Sequence, residues 1–173
     1  MNRIAFLCLF LIMGSVARAA LAGPCLDSAR RAEQAFGVPD LMLQSIVMQE
    51  SGDQQWALNA DGQAIYPVDE IDAKQKLRLN LRRADNVDIG CGQISMKYHS
   101  KYFSIRPDMA LDPWINMVYA SKILLDNYQQ YKSWTKAVAH YHSGDEQRQQ
   151  EYLCLIMQRM ARLKGQSYRC SGR

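Results

Sequence analysis

Apolar residues recur at helical spacing along most of the chain after residue 24. In the first such segment Leu26, Ala29, Ala32 and Phe36 lie three or four positions apart, as they would on one face of an α-helix. No stretch shows the sustained alternation of apolar and polar residues that is typical of a half-buried strand. The sequence therefore predicts a mainly α fold, and its 173 residues favour a single domain.

Caps and helix breakers indicate where the other helices begin and end. Asp112 followed by Pro113 is a start signal, because aspartate caps a helix and proline suits its first position. Gly52 and Gly144 are suited to helix ends. The further helices are predicted to begin at residues 39, 69, 113, 133 and about 147. The inward face of the helix that begins at residue 113 is predicted to be Trp114, Met117, Val118, Ser121, Leu125 and Tyr128.

Two segments between these helices are more polar. Residues 53–67 contain Gly62 and Pro67 and predict a loop or a small irregular β region. The helix that begins at residue 69 is expected to run to about Arg83 and is rich in lysine and arginine. Its charges are most simply a solvated face, and contact with an anionic polymer is the alternative.

The N-terminus has the pattern of a secretory signal peptide. Arg3 supplies a positive charge, residues 4–13 form an uninterrupted apolar run, and small residues follow at Ala20 and Ala22. The apolar run is too short to span a bilayer comfortably. We therefore predict export with cleavage after Ala22, which leaves a mature domain of residues 23–173. An uncleaved membrane anchor is the alternative.

The mature chain would carry 19 basic and 17 acidic residues, and its net charge of +2 is too small to indicate a nucleic-acid partner. It would keep four cysteines, an even number that indicates two disulfides in an exported protein. Cys154 and Cys170 are close in sequence and favour one pairing, which leaves Cys25 with Cys91. Alternatively, Cys91 is a buried free thiol. No spacing typical of a metal site is present.

Glu50 lies in the last turn of the helix predicted to begin at residue 39. Leu43, Ile46 and Val47 precede it by seven, four and three positions, so Glu50 shares their apolar face. Burial and the negative end of the helix dipole both raise the pKa of such a carboxyl group. A raised pKa suits a general acid that works near neutral pH. The alternative is an ordinary glutamate that faces solvent from a frayed helix end.

A glycine-rich segment, Asp-Ile-Gly-Cys-Gly-Gln-Ile, occupies residues 88–94. Gly90 and Gly92 let the backbone turn or approach another group closely, but no phosphate-binding motif is present. The amide of Gln93 can both donate and accept hydrogen bonds, which suits sugar hydroxyl and acetamido groups. A glutamine that stabilises a turn is the alternative.

Three segments follow one another in order: residues 50–52 (Glu-Ser-Gly), residues 88–94, and residues 137–144 (Ala-Val-Ala-His-Tyr-His-Ser-Gly). Together they resemble the lytic transglycosylases with a goose-lysozyme-like domain. That family is marked by Glu-Ser at a helix end, a Gly-x-x-Gln-Ile segment and an Ala-x-x-Tyr-Asn-x-Gly-like segment. The resemblance covers about residues 25–163 and implies a lysozyme-like (goose-type) single domain without a cofactor or metal.

The resemblance implies that Glu50 is the catalytic acid and base. The substrate-binding residues that it implies are Ser51, Gln93, Ile94, Tyr141, His142 and, on the following helix, Tyr152. Three positions depart from the family pattern. His142 stands where asparagine is usual, and Cys91 occupies a place that is usually apolar. Trp114 follows Asp112 and Pro113 where some secretion-associated members have a cysteine, so their disulfide cannot be carried over to this chain.

The implied activity is cleavage of the β-1,4 bond between N-acetylmuramic acid and N-acetylglucosamine in peptidoglycan, with formation of 1,6-anhydro-muramic ends. The chain is also similar to small exported members that open the cell wall locally for secretion, conjugation or pilus systems. This similarity implies a monomer in the periplasm with partners in such a system. A hydrolytic muramidase would need a second carboxylate, for which Asp53, Asp61 and Asp88 are candidates. A non-catalytic peptidoglycan-binding component is a further alternative.

Overall fold

Seven α-helices and a small sheet make up the part of the chain that the structure, a computed structural model, describes: residues 22–170. The helices are α1 (Pro24–Phe36), α2 (Met42–Glu50), α3 (Glu70–Asn80), α4 (Met96–Phe103), α5 (Pro113–Tyr131), α6 (Trp134–His142) and α7 (Glu146–Leu163). A 3₁₀ helix, Pro107–Leu111, precedes α5. The mainly α prediction is confirmed. The predicted signal peptide, apart from Ala22, lies outside the described residues.

A four-stranded antiparallel sheet, in the order β2-β1-β3-β4, stands where the sequence predicts a loop or irregular β region and extends beyond it. Its strands are β1 (Leu58–Ala60), β2 (Gln63–Ile65), β3 (Val87–Ile89) and β4 (Ile94–Ser95). Leu58 pairs with both Ile65 and Ile89, which fixes the register of β1 against β2 and against β3. The sequence did not predict β3 and β4, because strands of two or three residues are too short to show alternation.

Helix α2 begins at Met42, later than the prediction from Pro39. Leu41 has a left-handed backbone (φ 66°) and cannot continue a helix. Glu33 of α1, only 2% exposed, accepts hydrogen bonds from the Gln44 backbone N (3.0 Å) and side-chain Nε2 (2.7 Å). Burial raises the pKa of Glu33, and the bonds from Gln44 oppose that rise. The Glu33 side chain of α1 therefore caps the N-terminal end of α2, and Glu50 lies at the C-terminal end of the same helix.

Side-chain caps start several of the other helices, as the sequence predicts. The carboxylates of Asp69 and Asp112 accept from the third residue beyond them, at 2.8 and 2.9 Å. Helix α3 ends at Asn80 rather than at Arg83. Lys74 and Lys76 form ion pairs with acidic residues one turn earlier on α3, which agrees with a solvated face.

The buried face of α5 differs from the predicted one. Its buried residues are Asn116, Met117, Tyr119, Ala120, Ser121 and Leu124. Only Met117 and Ser121 belong to the predicted set, and Trp114, Val118, Leu125 and Tyr128 are half-buried. The prediction was wrong because it assumed one narrow stripe. Helix α5 packs against both α1 and α6, so a broader surface is buried, and its centre lies nearer Ala120.

Two disulfides join distant parts of the described chain. Cys25 at the start of α1 is bonded to Cys91 in the turn between β3 and β4, and Cys154 of α7 is bonded to Cys170. This pairing is the one that the sequence favours, and the free-thiol alternative for Cys91 is wrong. Residues 22–170 contain no group of three or more histidine, cysteine or carboxylate side chains placed to hold a metal ion. No helix in the same range has both the length and the apolar composition needed to cross a membrane.

The packing of the helices brings segments of α2, α6 and α7 together. Helix α2 packs against α7 and α1, and α6 packs against α5 and α7. The C-terminal end of α2, the C-terminal end of α6 and the first half of α7 therefore approach one another beside the turn between β3 and β4.

Candidate active site

Glu50 is the last residue of α2, and its side chain is partly exposed. The helix stops there because Gly52 has a left-handed backbone (φ 61°), as its position in the sequence predicts. The backbone N–H groups of Ser51 and Gly52 both donate to the Val47 carbonyl at 3.0 Å. These bonds close the helix end and fix the direction in which Glu50 leaves it.

Tyr152 of α7 makes the direct contact with Glu50. Its hydroxyl group donates to Glu50 Oε1 at 2.6 Å, and the residue is only 2% exposed. Arg159 Nε, two turns further along α7, donates to Gln49 Oε1 at 3.1 Å. Two bonds from α7 therefore hold the last turn of α2.

The pKa of Glu50 is raised from 4.5 to about 7. Burial is the largest cause, because it disfavours the charged carboxylate. The bond from Tyr152 lowers the pKa and so limits the rise, whereas the negative charge of Asp88 adds to it. Near neutral pH a large fraction of Glu50 is protonated, and the group can both give and take a proton.

Tyr141, near the end of α6, lies beside Glu50 and is tied to the glycine-rich turn. Its hydroxyl group donates to the Gly92 carbonyl at 2.8 Å. A Cβ atom at Gly92 would lie 2.7 Å from Tyr141 Oη, so the residue there must be glycine. Burial raises the pKa of Tyr141 well above its usual value, and the charges of Glu50 and Asp88 add to that rise. Tyr141 is therefore a neutral phenol at all physiological pH values.

His142 stacks on the ring of Tyr152. The ring centroids are 4.4 Å apart and the ring planes differ by 4°. Partial burial and the charge of Arg148 lower the pKa of His142, and the charge of Asp88 opposes them. His142 is exposed on its other side and completes an aromatic surface next to Glu50.

Two of the predicted substrate-binding residues, Ser51 and Gln93, make hydrogen bonds within the protein. The hydroxyl group of Ser51 donates to the Val47 carbonyl at 3.3 Å and thus back to its own helix. Gln93 Nε2 donates to the carbonyls of Ala57 (3.1 Å) and Gly90 (2.9 Å), which is the turn-stabilising role considered as the alternative. Contact of Gln93 with a glycan stays a prediction.

Ile94 requires a correction. It is 1% exposed in strand β4 and belongs to the hydrophobic core, so its side chain cannot contact a glycan. Its effect on the site is indirect, since it holds β4 against the core and so fixes the turn that carries Gly92.

The three candidate second carboxylates have different surroundings. Asp53 accepts from the backbone N–H groups of Gly23 and Leu26 and so caps α1. Asp61 accepts from the backbone of the loop before β3. Asp88 of β3 is half-buried, accepts from Asn86 Nδ2 at 2.7 Å, and has a pKa raised by burial. Of the three, only Asp88 contributes to the electrostatics of Glu50 and Tyr141.

Asn116 of α5 is a polar residue of this region that the sequence analysis did not single out. It is fully buried and makes three hydrogen bonds, one of them to the backbone of Gly92. The signal in the sequence is its position, because it lies four residues before Ala120 on the buried face of α5.

The described residues also line a pocket of about 200 Å³ beside this region. Its walls are Pro24, Asp53, Gln54, Gln55, Trp56, Ala57, Tyr66 and Pro67. None of the predicted site residues lines it, although Gln93 is bonded to one of its wall residues, Ala57.

Comparison with known families identifies this arrangement. The chain matches the family model described as "Transglycosylase SLT domain" over residues 27–152. The chain belongs to this family. Its fold is therefore lysozyme-like, and the matched range includes every predicted site residue from Glu50 to Tyr152. Searches of curated proteins and of solved structures find no match.

Membership of the SLT transglycosylase family indicates a lytic transglycosylase that acts on peptidoglycan. Peptidoglycan lies outside the cytoplasm, which agrees with the predicted export. Within this family frame, the group best suited to proton transfer is Glu50, because its pKa of about 7 lies at the working pH of a general acid.

Replacement of Tyr152 by phenylalanine tests the electrostatic setting of Glu50. The hydrogen bond from Tyr152 stabilises the carboxylate form of Glu50, so its removal raises the pKa of Glu50 above its value of about 7. We expect the alkaline limb of the pH–rate profile to move up by about one pH unit. Tyr119→Phe is the matched control, since Tyr119 is also buried and its hydroxyl group contacts His99 Nδ1 at 3.1 Å. An alkaline limb that stays in place in Tyr152→Phe would show that the bond does not set this pKa.

Proposed function

We propose that this protein is a lytic transglycosylase that uses Glu50 as its only acid and base to cleave the β-1,4 bond between N-acetylmuramic acid and N-acetylglucosamine. The products would be 1,6-anhydro-muramic ends. The observation that carries the proposal is the partly buried Glu50 carboxyl at the end of α2, with its pKa of about 7 and its bond from Tyr152. Family membership supports the reaction class.

In the first step, protonated Glu50 donates its proton to the glycosidic oxygen as the bond from that oxygen to C1 of N-acetylmuramic acid breaks. The positive charge that develops at C1 needs stabilisation. The carbonyl oxygen of the substrate's own acetamido group supplies it by bonding to C1. Tyr141, beside Glu50, would hold the acetamido group for this attack.

In the second step, the Glu50 carboxylate removes the proton from the C6 hydroxyl group of the same sugar. The C6 oxygen then bonds to C1 and displaces the acetamido oxygen. Glu50 ends the cycle protonated, and no water is consumed. A pKa near 7 suits both steps, since a much lower value would leave too little acid and a much higher one too weak a base.

His142, Tyr152, Ser51 and Gln93 are proposed to shape the glycan-binding groove. The exposed ring of His142 is stacked on the buried ring of Tyr152, and its outer face offers an aromatic surface of the kind on which a sugar ring packs. The Oε1 atom of Gln93 is not used in the two bonds that its Nε2 makes to the turn, so it could accept from a sugar hydroxyl group.

A hydrolytic muramidase is the second candidate, and one observation favours it. Asp88 is a half-buried carboxylate on the strand next to the site, and its charge raises the pKa of Glu50. A carboxylate in that position could activate water or stabilise the charge at C1. A non-catalytic binding component is the third candidate, but it would need no carboxyl group held at a pKa of about 7.

The cellular role is proposed from the sequence resemblance. Residues 1–22 would act as a signal peptide that delivers the mature domain, residues 23–173, to the periplasm. There the enzyme would act as a monomer on glycan strands and open the wall locally for an envelope-spanning secretion, conjugation or pilus system. Components of that system would be its protein partners.

Mass spectrometry of soluble fragments from purified peptidoglycan tests the proposed reaction. We expect the mature protein to release anhydro-muramic ends and Asp88→Asn to form the same ends. Reducing ends, heavier by one water, whose formation depends on Asp88 would instead establish a muramidase. Bound but uncleaved peptidoglycan would favour the non-catalytic component.

A further inference from the structure

Asn116 is a fully buried amide that connects three segments of backbone. Its Nδ2 donates to the Ile89 carbonyl at 2.8 Å and to the Ala110 carbonyl at 2.7 Å. Its Oδ1 accepts from the Gly92 backbone N at 2.8 Å. The amide therefore satisfies every bond that its buried atoms require, and its orientation is fixed by the two carbonyls.

Gly92 connects Asn116 to Tyr141, because it forms a hydrogen bond with each of them. Gly92 donates its N–H group to Asn116 and accepts the Tyr141 hydroxyl proton at its carbonyl. The fit on both sides is close: a Cβ atom on Gly92 would lie 2.7 Å from Tyr141 Oη and 3.3 Å from Asn116 Oδ1. A rotation of this residue's backbone would therefore move both partners.

We propose that Asn116 is a positioning residue for Tyr141 and acts on it through the Gly92 backbone. Asn116 holds the residue in the orientation in which its carbonyl points at Tyr141 Oη. Because it assumes that Tyr141 contacts the substrate, this role rests on the proposed function.

The direction of the Tyr141 hydrogen bond has a chemical consequence. The phenol proton is committed to the Gly92 carbonyl, so Tyr141 Oη presents its lone pairs to the site. The phenol is then an acceptor for the N–H group of the substrate's acetamido group rather than a donor to its carbonyl. A hydrogen bond from the acetamido N–H group to Tyr141 Oη increases the electron density on the acetamido oxygen, which is the atom that bonds to C1.

The predicted effect falls on turnover more than on binding. Without Asn116 the Gly92 backbone can rotate, and the phenol proton can point into the site. We expect Asn116→Ala to lower kcat about tenfold with little change in KM, because the interaction strengthens as the acetamido oxygen attacks.

A double-mutant cycle between Asn116→Ala and Tyr141→Phe tests the connection. If Asn116 acts through the Tyr141 hydroxyl group, we expect Asn116→Ala to cost about tenfold in kcat in the wild-type background and less than about threefold in the Tyr141→Phe background. Equal losses of kcat in both backgrounds would overturn the proposal and leave Asn116 as a structural residue only.

Ser121→Ala is the matched control. Ser121 lies on the same helix, is fully buried, and donates to the Met117 carbonyl at 2.8 Å. We expect this variant to lose stability without a change in kcat. A fall in kcat as large as that of Asn116→Ala would show that any weakening of α5 affects turnover, and would also overturn the proposal.

If Asn116→Ala does not fold, a second double-mutant cycle, between Gly92→Ala and Tyr141→Phe, replaces the first. The Cβ atom in Gly92→Ala collides with Tyr141 Oη, so Tyr141→Phe should relieve part of that collision. We expect the double variant to be more stable than Gly92→Ala alone, and the Gly92 amide of the wild type to exchange slowly with solvent. A fast-exchanging Gly92 amide would overturn the proposal. Absence of cleavage by the wild-type protein would instead contradict the proposed function.

Discussion

Replacement of Glu50 by glutamine is expected to lower the rate of peptidoglycan cleavage by about 10³-fold or more, to the level of background. Glutamine has nearly the same shape and its oxygen can still accept from Tyr152, but its amide is far too weak an acid to protonate the glycosidic oxygen. Binding to insoluble peptidoglycan should survive. Fragment release over a range of enzyme concentrations would measure the loss.

The same variant should be more stable than the wild type at alkaline pH. Folding raises the pKa of Glu50 from 4.5 to about 7, so the folded state favours the protonated form. The resulting penalty is absent below about pH 4.5, grows between pH 4.5 and 7, and is complete above pH 7. Its upper limit is about 3 kcal/mol, and partial exposure of Glu50 reduces our expectation to about 1–2 kcal/mol.

Urea denaturation at pH 5 and pH 8 would measure this difference. We expect a higher midpoint for Glu50→Gln at pH 8 and similar midpoints at pH 5. Glu151→Gln is the control, because Glu151 is exposed on α7 next to Tyr152 and should change neither cleavage nor stability. A Glu50→Gln variant that still cleaves would exclude Glu50 as the acid, and one with no gain at pH 8 would mean that its pKa is not raised by folding.

Loss of the Cys25–Cys91 disulfide is expected to have the largest effect on stability. The bond closes a loop of 66 residues, and the entropy of closing such a loop corresponds to about 4 kcal/mol in the unfolded state. Replacement of both cysteines by serine should lower the melting temperature by about 10 °C. Serine at both positions also places two hydroxyl groups in a fully buried site.

The same change should lower activity, because Cys91 stands between Gly90 and Gly92 in the turn that binds Tyr141. We expect kcat to fall about tenfold at a temperature at which the variant is folded. The double serine variant of Cys154 and Cys170 is the control. That bond closes a loop of 16 residues and ties down an exposed segment after α7, so its loss should leave kcat unchanged. Equal losses of kcat in both variants would mean that the Cys25–Cys91 bond has no special connection to the site.

The helical content and the position of the Glu50 carboxyl group could be predicted because both depend on local spacing. The face shared by Leu43, Ile46, Val47 and Glu50 puts the carboxyl group at the edge of the core in any fold that buries that face. The caps at Asp69 and Asp112 were also predictable, since a cap and the amide that it binds lie three residues apart.

The predictions that failed depend on contacts between distant residues. The start of α2 is capped by Glu33, which belongs to another helix, and Ile94 is buried because a two-residue strand joins a sheet. Asn116 was not singled out because its three partners lie 6 to 27 residues away in sequence. The spacing of apolar residues in the sequence gives no information about partners this far apart.

The sequence by itself determined a mainly α chain and a glutamate at a helix end, in the order of segments that marks the SLT transglycosylases, whereas it left the pairing of the cysteines open. Only the tertiary structure decided what surrounds that glutamate. The bond from Tyr152 spans 102 positions, and that from Tyr141 to Gly92 spans 49. The pKa of Glu50 is raised mainly by desolvation, and the residues that exclude water from it meet only when α2, α6 and α7 pack together. The free energy of this desolvation is therefore a property of the folded arrangement and not of any single segment.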